Sequence, residues 1–194
     1  MVPDDHEVEN NYANMVRADS SPALTTAQWT ARRTAAYRRT TRTCRCARPT
    51  PEAATASRSY RRVQWGQLAV FPMLDTRQFR NDQACGDGWK VCADADLATR
   101  SLPGTAQEAW LLDGLGQHLA KWDIVGQQVF FARQFDAAGA GNMDAWDGYR
   151  ASRAPIQQGW VDRGVRNPLI LTVRRARRVG QQPEGRLRPT PTRR

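Results

Sequence analysis

Hydrophobic and polar positions follow two different periods along this chain. Trp29, Arg33 and Tyr37 recur every four residues within Ala27–Tyr37, a stretch rich in helix formers, and predict a helix with those three on one face. Arg62–Phe71 predicts a two-strand hairpin turning at Trp65-Gly66, its second strand running on through Pro72–Arg77. Thr105-Ala106-Gln107-Glu108 has capping-box spacing and opens a predicted helix whose buried stripe is Ala109, Leu112 and Leu115-Gly116. Trp122–Phe131 is largely apolar and predicts a central strand. Ala151–Arg163 predicts a helix with Ile156, Trp160 and Val161 inward, and Asn167–Thr172 a short buried strand. Ser20-Ser21-Pro22, Asn81–Thr99 and Gly139–Asn142 are the loops between them.

Two stretches carry neither period. From Arg38 to about Ser59 the residues alternate Arg and Thr and then thin to Pro, Ala and Ser, a composition that predicts disorder for 38–58. The other stretch is the terminal 173–194. The same two regions explain the charge. Residues 31–62 hold ten Arg against one acid and residues 173–194 eight Arg against one acid, which leaves the remainder at −6 of the net +10. The basicity is therefore local, and an Arg-rich nucleic-acid-binding segment is one way to read it.

The 194 residues suffice for one domain with a real core, although mean hydropathy is a polar −0.68. No apolar run nears the roughly 18 to 20 residues that span a bilayer, and Met1 is not followed by a basic-then-apolar leader. A cytoplasmic location and no membrane partner are the corresponding expectations. Four cysteines fall in two pairs. Cys44 and Cys46 lie in the first basic segment; Cys85 and Cys92 flank a Gly-bearing loop that could bring them together as a disulfide. No Cys-x-x-Cys or Cys-His spacing suggests zinc.

The chemistry is concentrated at the start. Asp4-Asp5-His6-Glu7 is followed by Glu9-Asn10-Asn11, so carboxylates, carboxamides and an imidazole crowd into eight residues. Such oxygen donors beside an imidazole suit hard cations and the phosphate they hold; a solvated acidic terminus is the plainer alternative. Asp75 and Arg77 fall where the hairpin strand leaves its sheet. There Arg77 is suited to a bidentate phosphate contact, or else to a structural Asp-Arg pair bracing the loop.

Asp-Asp-His-Glu-Val-Glu-Asn-Asn resembles the signature of the alkaline phosphatase D (PhoD-like) metallophosphoesterases. Further matches, in the family's order, are Trp65-Gly66-Gln67-Leu68, Leu74-Asp75-Thr76-Arg77-Gln78, Ala106–Leu111, Gly126-Gln127-Gln128-Val129 and Met143–Tyr149. The resemblance covers roughly residues 2–37 and 60–172 and implies an internal slice of a longer enzyme. It implies an α/β fold, part of a metallophosphoesterase-like sandwich of mixed sheets flanked by helices. It also implies metal-dependent hydrolysis of phosphomonoesters or phosphodiesters by an exported parent enzyme, with a phosphate ester as the partner and no specific nucleic acid. The implied cofactors are iron and calcium. Asp4, Asp5 and Asn10 are the candidate metal ligands, and His6 and Arg77 the candidate catalytic residues, His6 as phosphate contact or leaving-group acid. The Cys-containing strand, the Asp-Tyr motif and the Gly-Asp-Val-His that complete the family's metal centre are not found here, so stable metal binding is not expected of this chain alone. A catalytically inactive remnant is the alternative outcome.

The resemblance fails where the arginines accumulate. Thr40–Cys46 admits codons that, one frame over, spell Tyr-Tyr-Ala-His-Met-Pro-Leu-Arg, close to what the family carries after this helix. Arg174–Leu187 admits codons that, one frame over, begin Asp-Val-His. Both Arg-rich stretches are thus read as out-of-frame text.

Overall fold

The computed structural model describes residues 3–17, 24–42 and 59–172. Within them, the chain builds helix α1 (Thr26–Arg42), hairpin strands β1 (Arg61–Trp65) and β2 (Ala69–Met73), and short strand β3 (Trp89–Lys90). Helix α2 (Thr105–Leu115), strand β4 (Trp122–Gln127), short strand β5 (Gly141–Asn142), helix α3 (Arg150–Asp162) and strand β6 (Pro168–Thr172) follow. The main sheet has the order β1-β2-β4-β6, antiparallel at the hairpin and parallel at both other pairings; β3 and β5 form a separate antiparallel pair. It is therefore a mixed sheet with helices, the expected α/β class.

The hairpin turns at Gly66, whose φ of +52° a side chain would strain. Strand alternation then sorts side chains by face. Val70, Val125 and Ile170 point to the side covered by α2 and α3, where Leu74, Leu102, Leu111, Leu115, Trp146, Tyr149 and Ile156 close the main core. Trp65, Leu68, Ala69, Phe71, Trp122, Ile124 and Leu169 instead line an open apolar groove on the opposite face, with Trp65 71% exposed. Strand β4 is central, as its apolar run implies, and ends at Gln127 rather than continuing through Phe131. At its Gly126 an added Cβ would lie 2.6 Å from the Met73 sulfur, so the glycine leaves room for the end of that side chain.

Four local expectations are corrected. Thr105 does not cap α2: Gly104 is the N-cap, with no side-chain cap bond. Glu108 turns away from the helix start to accept the hydroxyls of Ser101 and Ser152. The buried side of α2 is Gln107, Leu111, Gly114 and Leu115, while Ala109 is exposed, because α3 and the loop before α2 lie a fraction of a turn from the predicted stripe. In α3, Ile156 is buried and Trp160 half-buried, but Val161 is 73% exposed. Strand β6 is the sheet edge among the described residues, and its Leu169 and Leu171 point to the face that α2 and α3 do not cover, so they are exposed rather than buried.

Helix α1 makes a second, smaller core. The expected aromatic face is present: Trp29 and Tyr37 pack with Val8, Tyr12 and Ala36. Arg33, on the same face, lies 5.7 Å above the Tyr12 ring and donates to its hydroxyl. The helix continues to Arg42, past Arg38 where its sequence period ends. Residues 43–58 and 173–194, on which the remaining disorder and alternate-frame readings fall, lie outside the described residues, as do Cys44 and Cys46.

Candidate functional site

The acidic start is not a loose end in this fold. Backbone bonds from Val8 and Glu9 to the Asp5 carbonyl wind it into a helical turn, and Asp4 N–H is capped by Glu7. The turn is set against the carboxyl ends of the parallel strands β2 and β4, where functional side chains of α/β sheets tend to gather. Gln128, just after β4, makes the junction: its amide donates to Pro3 O at 2.8 Å and its oxygen accepts Thr76 N–H and hydroxyl. From the other side Arg32 of α1 donates to Val8 O.

Asp5 is buried, and one of its oxygens accepts Asn11 N–H at 2.8 Å. Asn11 adopts a left-handed φ of +52°, a conformation asparagine tolerates better than most residues. Asp4 is half-buried; its Oδ1 accepts Arg77 Nε at 2.8 Å. Burial pushes the Asp4 carboxyl above its ordinary range, and Arg77 only partly opposes this. His6 stands outside this packing with its side chain 67% exposed, its Nε2 3.6 Å from Asp5 Oδ2. Asn10 is exposed on the same turn.

Arg77 is the centre of the network and is only 3% exposed. Beyond Asp4, it donates from Nη1 to Asp144 Oδ1 at 2.8 Å and lies 3.6 Å from Asp5 Oδ1. Burial alone would lower its pKa, but the surrounding carboxylates, Asp144 foremost, outweigh that and raise it. Asp144 receives Arg80 and Gln83 as well. Its burial would raise the carboxyl, yet Arg80 and Arg77 together hold it below the ordinary range. Asp75, by contrast, faces inward: it accepts Arg77 N–H, Gln78 N–H and the Ser59 hydroxyl, and its backbone is held by Gln107.

The structure thus brings Asp4, Asp5, His6 and Arg77 together and leaves Asn10 on the rim. Asp144, Gln83 and Gln128, which knit them together, are far away in sequence. Of these, Asp144 and Gln128 fall within stretches that match the family, Met143–Tyr149 and Gly126–Val129. Cys85 and Cys92 are joined in a disulfide. With Asp94 they are the only group of three potential metal ligands converging among the described residues, and bonded sulfurs are not free to ligate. For iron or calcium the Asp4 and Asp5 oxygens therefore fit in kind but fall short in number.

The family model for PhoD-like phosphatases matches residues 1–175. Alkaline phosphatase D of Bacillus subtilis (strain 168) is 36% identical over 173 residues, which are 87% of this chain and 29% of that protein. The solved structure of PhoD superposes with a TM-score of 0.77 at 36% identity, covering 87% of this chain and 33% of that one. The chain therefore spans about a third or less of the length of these relatives, and it belongs to the PhoD-like phosphatase family.

Proposed function

We propose that this chain supplies the Asp4-Asp5-His6 portion of a metal-dependent phosphoester hydrolase. The observation that carries this reading is the convergence of the acidic turn, Arg77 and Asp144 at the carboxyl ends of β2 and β4. A bound cation of this class supplies charge neutralisation of the phosphate and an activated water. Asp4 and Asp5 would hold that cation through carboxylate oxygens; Arg77 donates to Asp4 and Asn11 N–H to Asp5. His6, exposed beside them, is placed to touch the phosphate or protonate the departing oxygen. Arg77 acts through Asp4 and Asp144 as a positioning residue, since its buried donors already face carboxylates.

A second reading is favoured by one observation: the described residues assemble no complete set of carboxylate and imidazole ligands. On it, the chain alone is inactive and the activity belongs to a longer protein. Release of p-nitrophenol from p-nitrophenyl phosphate, with calcium and iron added, separates the two. Activity lost in Asp5→Asn at unchanged melting temperature supports catalysis by this chain. No turnover by the wild-type chain, with calorimetry showing no calcium uptake, supports the second reading. Turnover that Asp5→Asn leaves intact refutes the assignment of the site.

A further inference from the structure

The Cys85–Cys92 bond closes a loop that reaches back to the acidic turn. Asn11 Nδ2 donates to Asp87 Oδ2 at 2.5 Å, across 76 positions of sequence. Gln83, two residues before Cys85, donates to Asn11 O at 2.7 Å and also to Asp144. Asn11 is thus gripped by side chain and carbonyl from one loop, while its own N–H fixes Asp5. Besides the disulfide, the loop is held where β3 pairs with β5, Met143 N–H donates to Gly88 O, and Cys92 is buried among Ala84, Ala95 and Met143. Cys85 is exposed, in reach of a soluble thiol.

From this arrangement we infer that the disulfide-closed loop is a redox-sensitive clamp on Asp5, acting through Asp87 and Asn11. Asp87, Gln83 and Asn11 are its positioning residues. That Asp5 is a cation ligand rests on the proposed function; the clamp does not. The reductant is a dithiol. One thiolate attacks the exposed Cys85 sulfur and expels the Cys92 thiolate. The second thiol then closes the reductant's own disulfide and frees Cys85, so two electrons and two protons pass to the pair. Once open, the loop no longer holds Asp87 at the distance Asn11 needs, and the left-handed turn that aims Asp5 relaxes.

Amide hydrogen exchange of the full chain, oxidised and then reduced with dithiothreitol, tests this without any metal or substrate. Reduction is expected to speed exchange of the Asn11 amide roughly tenfold, the scale of one hydrogen bond to a charged group, while α2 and β4 keep their protection. Asp87→Ala should give the same acceleration in the oxidised protein and add nothing after reduction. Asp87→Asn, which keeps an acceptor oxygen, should stay within about twofold of wild type. Unchanged Asn11 exchange on reduction overturns the clamp. So does additivity of Asp87→Ala with reduction, or loss of protection throughout α2 and β4, which would make the disulfide a brace of the core instead. A negative phosphatase assay leaves this result untouched, so the two claims fail separately.

Discussion

Replacing Arg77 by Ala tests whether the guanidinium is a brace or a phosphate contact. The side chain is buried and lies 2.8 Å from both Asp4 and Asp144. Its removal strands Asp144 inside the protein with Arg80 at 3.0 Å and Gln83 at 3.2 Å as remaining partners. Breaking a buried ion pair costs about 3–5 kcal/mol; since Arg80 stays, the lower end, about 3 kcal/mol, is expected. That is a large fraction of the roughly 5–15 kcal/mol that holds a domain folded. Arg77→Lys should cost less, about 1–2 kcal/mol, because one ammonium keeps the charge but cannot span both carboxylates. Urea unfolding followed by tryptophan fluorescence measures both. The pH dependence supplies a second check. The carboxyl of Asp144 lies below its unfolded value of 3.8, so its stabilisation is complete above that pH and lost as pH falls through the folded pKa. In Arg77→Ala this acid-side loss should be smaller. A stability change under 1 kcal/mol, coupled to loss of phosphate binding, would refute the bracing role and make Arg77 a substrate residue.

Four further outcomes follow from the packing. Burial raises the phenols of Tyr149 and Tyr37, so above about pH 10 the unfolded chain sheds protons that the folded chain keeps. Stability should therefore fall as pH climbs from about 10, read by thermal melts across that range with Tyr149→Phe flattening the slope. Gly148→Ala would place a Cβ 2.3 Å from the Met143 carbonyl oxygen, a backbone atom, and should cost about 2–3 kcal/mol in a thermal melt. Gly114→Ala meets only the end of Arg62, at 1.5 Å. That side chain must leave both the Trp110 ring and the Trp110 carbonyl, and the helix-propensity gain of about 1 kcal/mol offsets only part of this, so a loss of about 1 kcal/mol is expected in a thermal melt. Gln107→Leu removes bonds to Asp75 N–H, Asp75 O and Pro103 O, leaving buried polar groups unmet. A loss of about 2–4 kcal/mol in urea unfolding is expected, and under 1 kcal/mol would show that the loop re-satisfies them.

The sequence alone determined what local spacing can encode. The four-residue recurrence of Trp29, Arg33 and Tyr37 announced the buried face of α1, and the Gly66 turn announced the β1-β2 hairpin. The loop between Cys85 and Cys92 was short enough for its ends to meet. The family was legible in the Asp-Asp-His-Glu words, because a contiguous motif can be recognised without knowing which distant residues pack against it. Where partners came from afar, pattern reading failed. Thr105 and Glu108 have capping-box spacing, yet Ser101 and Ser152 take the Glu108 carboxylate, since a carboxylate goes where the most buried donors are. An apolar strand reads the same whether one or both of its faces are covered, so the exposure of Leu169 and Leu171 depended on which face α2 and α3 pack against. Above all, Arg77 is as compatible in sequence with holding a phosphate as with bracing a loop. Only the fold brings Asp4 and Asp144, 73 and 67 positions away, to 2.8 Å from Arg77, and that contact is what supports our reading of it as a brace.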